Sequence, residues 1–312
     1  MRKLLPFYLL LLLTAHTFAQ ENAPCSRVWS RVTIDSTPQN NTNSYNWTLL
    51  YEETFDNASL DTDVWYTCPN GWQRHHGHEL QYYLDENILI KDGILHLTAK
   101  QETGTYEIRD YDASGKALTN TRRFDYSSAW IQTRDKYQYG KFEVRCKVPK
   151  GRGFWPAFWF FGSHNEIDVF EFRGDQPRRP QLNIHYWCTQ KTRIDSSSTP
   201  RKRIDYSKDF HTYSLEWDDC KIVFRIDDDI VRTDYKYKTE NGELVTNKQQ
   251  LATGNYWQNP LFPDEEVSLI LNLAISQERG GIRRAHAPND NTLFPASFEI
   301  DYVKIYQRVQ MK

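Results

Sequence analysis

The stretch Lys141-Phe142-Glu143-Val144-Arg145-Cys146-Lys147-Val148 alternates charged and apolar residues without a break. Successive side chains of a β-strand point to opposite faces, so a period of two over eight residues describes a half-buried antiparallel strand. Phe142, Val144, Cys146 and Val148 then face a core, and Cys146 reads as a small buried hydrophobe. Similar runs recur on both sides of it, at residues 49–53, 88–90, 94–99, 128–133, 154–161, 166–172, 182–186, 211–217, 222–226, 267–274 and 298–306, with Gly, Asp and Asn turns between them. No long stretch carries helical periodicity with caps, so an α/β reading would leave most of the chain unexplained. The expected fold is all-β, a sandwich or barrel of short antiparallel strands.

The chain has 312 residues and opens Met-Arg-Lys before an apolar run from Leu4 to Thr14 and the sequence Thr17-Phe18-Ala19. That order is the pattern of an export signal, and the run is too short to span a bilayer. Residues 1–19 are therefore set apart as a signal peptide and the mature protein is expected outside the cytoplasm, periplasmic or extracellular. Cys25 follows Asn22-Ala23-Pro24, which lacks the pattern of a lipid-anchoring signal. Residues 20–46 carry Ser, Thr, Asn and Pro without periodicity and read as a lead-in, and residues 47–312 form one domain.

Ten Trp, nineteen Tyr and sixteen Phe imply aromatic faces on accessible surface, as sugar-binding grooves use, beside an aromatic-rich core. A formal net charge of −2 excludes nucleic acid as the main partner, because phosphate neutralisation needs clustered excess cations. No later run is long enough for a membrane helix, and nothing indicates an oligomer; a monomer is expected. The five cysteines, Cys25, Cys68, Cys146, Cys188 and Cys220, show no metal-ligand spacing, and Cys68 with Cys188 is the pairing proposed for a disulfide.

Chemistry concentrates in Asn165-Glu166-Ile167-Asp168-Val169-Phe170-Glu171-Phe172. Glu166 and Asp168, two apart on a strand, share a face. Glu171, at an offset of five, would point into the core at a cost of several kcal/mol. One extra residue near Val169-Phe170, a β-bulge, returns Glu171 to the face of Glu166. Two carboxyl groups on one face suit a retaining glycosidase, one as nucleophile and one as proton donor, with Asp168 between them to orient the nucleophile or raise a neighbour's proton affinity. Three acids alone fit a solvated edge strand better. The preceding Phe154-Trp155-Pro156-Ala157-Phe158-Trp159 puts Trp155, Ala157 and Trp159 on one face beside them, where indoles can stack on sugar rings, although one of the two is expected in the core. His185, in Leu182-Asn183-Ile184-His185-Tyr186-Trp187, is placed to hydrogen-bond a sugar or the acid.

These segments resemble glycoside hydrolase family 16, especially its laminarinase-like members. The resemblance runs from Trp47 to Gln307 and rests on Glu79-Leu80-Gln81-Tyr82-Tyr83, Gly140-Lys141-Phe142-Glu143-Val144-Arg145, Trp155-Pro156-Ala157-Phe158-Trp159, Glu166-Ile167-Asp168-Val169-Phe170-Glu171 and Ile300-Asp301-Tyr302-Val303-Lys304-Ile305-Tyr306, in family order. It implies a β-jelly-roll sandwich of two antiparallel sheets with a concave substrate cleft, Glu166 as nucleophile, Glu171 as acid/base and Asp168 as assisting carboxylate. It also implies a β-linked polysaccharide substrate, β-1,3-glucan first, cut internally. The loop Trp72-Gln73-Arg74-His75-His76-Gly77-His78 departs from the laminarinase-like pattern, which carries an Asn there. Trp72, Arg74 and His78 are therefore added to the expected substrate contacts, and a marine galactan (agar, porphyran or carrageenan) is the alternative substrate. A non-catalytic sugar-binding sandwich is the alternative of another class, opposed by the presence of both Glu166 and Glu171. No metal is assigned to the site and no cofactor is required. A structural calcium of the kind many members bind would have Asp301 as ligand, but Thr54 stands where those members carry an acidic residue.

Overall fold

A computed structural model of the protein describes residues 25–35, 45–76, 79–111, 116–189, 192–200, 204–280, 282 and 285–310. The signal-peptide assignment and His78 lie outside them. Two antiparallel sheets face each other. One has seven strands in the order Thr192–Ser198, Gln181–Thr189, Asn165–Glu171, Phe154–Phe161, Ser268–Ile275, Trp130–Thr133 and Trp65–Tyr66. The other runs Asp229–Tyr235, Lys221–Ile226, His211–Trp217, Gly140–Lys147, Ala296–Gln310, Ile94–Ala99 and Ile88–Lys91, with Tyr45–Glu53 also pairing along Ala296–Gln310. This is the expected two-sheet sandwich, and the alternating stretch at 141–148 lies inside its second sheet.

The apolar halves of the alternating strands meet in one core. Phe142, Val144 and Cys146 from one sheet and Phe158, Phe160, Ile167 and Phe170 from the other are all fully buried. Phe142 and Phe160 meet edge to face across the sheets, their centroids 4.7 Å apart. Phe170 packs on Tyr213 at 4.3 Å. Such aromatic pairs add roughly 0.5–1.5 kcal/mol beyond the area they bury. They also fix the spacing of the two sheets beneath the strand that carries the acids.

One expectation needs correction. The disulfide joins Cys25 to Cys188, Cα atoms 5.7 Å apart, and Cys68 is a buried free thiol. Within the lead-in of residues 20–46, Ser30–Ile34 pairs antiparallel with Gly254–Gln258 in a three-stranded sheet completed by Tyr237–Thr239. Val32 and Ile34 pack against a small cluster around Tyr256. That alternation spans too few residues to stand out from its polar flanks. The disulfide ties the N-terminal segment to the end of the strand Gln181–Thr189, and the small sheet ties it to Gly254–Gln258. Among the described residues, no helix is long and apolar enough to cross a membrane.

Candidate active site

The outer face of the seven-stranded sheet lines a cleft of about 1380 Å³. Trp155, Ala157, Trp159 and Phe161 line it from one strand, Glu166, Asp168 and Glu171 from the next, and Asn183, His185 and Trp187 from the third. The strand of the acids contains the bulge. Trp159 pairs with Asp168 and Phe158 with Phe170, so Val169 is the unpaired residue, and the register on the other side also shifts between Asp168 and Glu171. Ile167, Val169 and Phe170 all point to the core. The extra residue thereby puts Glu171 on the same face as Glu166 without burying a charge among phenylalanines.

Each carboxylate is held by named donors. Trp187 Nε1 donates to Glu166 Oε2 at 2.9 Å. Asn183 Nδ2 donates to Asp168 Oδ2 at 2.9 Å and to Glu171 Oε2 at 2.8 Å, so one amide ties two of the acids together. Trp155 Nε1 donates to Glu171 Oε1 at 2.8 Å. His185 Nε2 lies 3.1 Å from Asp168 Oδ2 and 3.9 Å from Glu166 Oε1. Its Nδ1 lies 2.6 Å from Asp195 Oδ1.

Burial, followed by the like charge of Asp168, pushes Glu166 up from 4.5 to about 7, against the opposing pull of His185. Burial with the neighbouring charges of Asp168 and Glu166 pushes Glu171 well above the carboxylate range. Two coupled carboxyls so placed share protons, and Glu171 keeps one more readily. Burial works against a charged His185, but the Asp168 hydrogen bond and the charges of Asp168 and Glu166 prevail and lift it to about 9. A raised carboxyl pKa means that the folded chain binds the proton more tightly than the unfolded one. For Glu166 that stabilising contribution is full below about pH 4.5 and is lost as the pH rises through about 7.

The donor from Trp155 to Glu171 gives a test of this balance. Trp155→Phe keeps an aromatic face in the cleft and removes a hydrogen bond that favours the ionised acid. The alkaline limb of kcat/KM is expected to move upward by up to about one pH unit. A pH profile with an unmoved limb would show that this bond does not tune Glu171.

Trp159 is held by a second network. Its Nε1 donates to Asn272 Oδ1 at 2.9 Å, Asn272 Nδ2 donates to the Tyr83 hydroxyl at 3.0 Å, and that hydroxyl donates to Glu79 Oε2 at 2.8 Å. Gln81 Nε2 donates to the same Glu79 oxygen at 2.6 Å. Glu79, Gln81 and Tyr83 alternate along one short segment and support the indole from below. Trp159 packs edge to face on Trp130 at 5.5 Å, and neither Trp155 nor Trp159 enters the main core. The expectation of one core indole was wrong, because the inward parity of this strand is filled by Phe154, Phe158 and Phe160.

The structure thus brings together Glu166, Asp168, Glu171, Trp155, Trp159 and His185. Trp72 and Arg74, expected as substrate contacts, are absent from the cleft lining among the described residues. The Arg74 guanidinium donates to both carboxylate oxygens of Asp85, at 2.9 and 3.0 Å, and to the Tyr83 carbonyl, which holds it away from the cleft. Trp72 stacks instead under Arg109 at 5.3 Å. From the same loop, Gln73 and His76 do line the cleft. Sequence reasoning overlooked Asn183 and Trp187, although both share the parity of His185, and it overlooked Arg193 and Asp195 on the neighbouring strand.

Ligand atoms of Glu166, Asp168 and His185 lie within 4.8 Å of one another, but both ring nitrogens of His185 are directed at carboxylates, leaving no free lone pair for an ion. Asp218 and Asp219 near Cys220 are already matched by Arg308 and Lys248. Asp301 is ion-paired with Arg145, and the Thr54 hydroxyl is spent on Asp56 at 2.6 Å. A calcium at Asp301 would have to displace these partners.

The family model for glycosyl hydrolases family 16 matches residues 79–265. A protein of Rhodothermus marinus named "Beta-glucanase" is 30% identical over 287 residues, covering 85% of this chain and 86% of that protein. "Glucan endo-1,3-beta-glucosidase A1" of Niallia circulans is 29% identical over 83% of this chain, which spans only 38% of that longer relative. A solved structure described under the heading of human gut microbiota that "express endo-acting O-glycanases to initiate mucin breakdown" superposes with a TM-score of 0.64 at 28% identity, covering 87% of this chain and 92% of the other. With a two-sheet sandwich, a bulged strand of three acids in its cleft and a family match across more than half its length, this chain belongs to glycosyl hydrolases family 16.

Proposed function

We propose that the protein is an exported, endo-acting hydrolase of β-1,3-glucan that works by double displacement as a monomer. Glu171, held protonated by burial and by its neighbours, gives its proton to the leaving oxygen. Glu166 attacks the anomeric carbon and forms a glycosyl ester. Water, deprotonated by Glu171, then hydrolyses the ester and restores both groups. The charged His185 favours the ionised form of the nucleophile, and Asp168 holds that ring in place beside it. Trp155 and Trp159 offer stacking faces for sugar rings, and an open cleft suits an internal bond of a long chain.

The single observation that carries this reading is the bulge at Val169, which sets Glu166 and Glu171 on one cleft face, both with raised proton affinity and Glu171 the more so. The choice of glucan rests on the names of the bacterial relatives. A second reading, cleavage within mucin O-glycans, is favoured by the likeness to the structure associated with O-glycanases. The test is oligosaccharide release from laminarin, mixed-linkage glucan, mucin O-glycans, agarose, porphyran and carrageenan. Laminarin cut to a ladder of short products is the expected result. Release from mucin alone would move the assignment to O-glycans, and release from a galactan alone to the marine alternative. Binding without release from any polymer would point to the sugar-binding sandwich.

A further inference from the structure

Glu166, His185 and Asp195 lie in one row across three adjacent strands, His185 being the direct cross-strand partner of both acids. Trp187 and Arg193 pair in the same way in a neighbouring row. Both ring nitrogens of His185 are engaged, Nδ1 by Asp195 at 2.6 Å and Nε2 by Asp168 at 3.1 Å. Carboxylates accept hydrogen bonds and do not donate them, so a neutral imidazole would have to turn a lone pair towards one of these acids. The geometry suits only a ring that carries both protons. It is also a buried ring, its side chain 7% exposed, where an unpaired charge would be costly.

We propose that Asp195, on the edge strand Thr192–Ser198, is a positioning residue that holds His185 as an imidazolium aimed at Asp168 and Glu166. The proposal rests on the catalytic roles given above to Glu166 and Glu171. Asp195 itself touches neither of those acids and acts through the ring.

The edge strand is built to hold that carboxylate still. Arg193 Nε is ion-paired with the same Asp195 oxygen that His185 engages, at 3.0 Å. The Arg193 guanidinium also lies 5.1 Å from the centre of the Trp187 ring, whose Nε1 holds Glu166. From the opposite sheet, Arg232 donates to the carbonyls of Leu182 and Ser196 and to the Ser196 hydroxyl, clamping the two strands at Asp195's immediate neighbour. The charged groups that face His185 are therefore Glu166 and Asp168 from one strand and Asp195 and Arg193 from the other, with Glu171 beyond them; its own strand adds only the uncharged Asn183 and Trp187.

With Asp195 changed to asparagine, the ring keeps a hydrogen-bond acceptor but loses an opposing charge. It then gives up its proton at lower pH and presents a lone pair to Asp168, which disturbs the orientation of the nucleophile. Arg193→Gln has the opposite sign, since it removes a positive charge and strengthens the hold of Asp195 on the ring.

The experiment is an 15N NMR titration of the His185 ring, identified by its loss in His185→Gln, in the wild type, Asp195→Asn and Arg193→Gln, beside pH profiles of kcat/KM. The wild-type ring is expected to carry both protons at pH 7. Asp195→Asn should move its titration down by about one pH unit or more and Arg193→Gln should move it up. The alkaline limb of kcat/KM, set by Glu171, should move up in Asp195→Asn, against the ring, because the charge of His185 lowers Glu171, with KM little changed. A wild-type ring that is neutral at pH 7 would overturn the proposal, as would a uniform loss of activity in Asp195→Asn with the limb unmoved. If Asp195→Asn does not fold, the wild-type ring and the sign of the Arg193→Gln shift decide it. Wild-type activity in Glu166→Gln and Glu171→Gln would instead refute the catalytic assignment, a result the ring titration does not mimic.

Discussion

Glu166→Ala is expected to lower kcat/KM by on the order of 10⁴-fold or more, because it removes the group that forms the glycosyl ester. Asp168 is the nearest alternative, but its Oδ2 already accepts hydrogen bonds from Asn183 and His185. The shortened side chain leaves space for a small anion. With an activated aryl glycoside and azide present, turnover should return and give a glycosyl azide of inverted configuration, since azide then attacks from the side that Glu166 occupied. A glycosyl azide of retained configuration would assign the nucleophile to another residue.

Glu171→Ala is expected to behave differently. Proton transfer to the leaving oxygen contributes about 10²–10⁴-fold, so natural polysaccharide cleavage should fall by that factor. An aryl glycoside whose leaving group departs without a proton should still form the glycosyl ester, and then stall because no base activates water. A rapid first burst followed by slow turnover is the expected trace. The alkaline limb of the pH profile should also disappear, since the group whose proton is lost there, raised by burial and by Asp168 and Glu166, is gone. A variant that retains the wild-type limb would place the acid elsewhere.

Much of this site was legible in the sequence because chemistry and periodicity disagreed at one residue. Glu171 broke the parity set by Glu166 and Asp168, and the only local repair was an extra residue, which the structure has at Val169. The sandwich was legible for a similar reason: strands with one apolar face, such as 141–148, alternate plainly. What stayed hidden lacks that contrast. Thr192–Ser198 reads Thr-Arg-Ile-Asp-Ser-Ser-Ser, a polar edge strand, so nothing marked Arg193 and Asp195 as site residues. The hairpin of Gly104–Tyr111 with Ala117–Phe124 carries Thr, Asn and Arg on a largely exposed strand and gave no alternation either.

The loop at 72–78 failed as a predictor for a physical reason as well. Its cations looked free to meet a substrate, but charge in a sequence says nothing about which partner it finds. Arg74 finds Asp85, and the His75 ring is buried edge-on against Phe124 with Arg122 at its Nε2. The disulfide failed likewise, since five cysteines do not specify which pair the fold brings within reach. Composition did indicate aromatic surface, and Trp155, Trp159 and Trp187 supply it, each with its indole N–H given to a side chain of the site.

The most direct measurement is the anomeric configuration of the product as it first forms, followed by proton NMR during rapid hydrolysis of a soluble β-1,3-glucan. Double displacement at Glu166 and Glu171 predicts that the β-anomer appears first and the α-anomer only later, by mutarotation. An α-anomer at the earliest times would mean a single displacement by water, and the roles given to the two glutamates would be wrong.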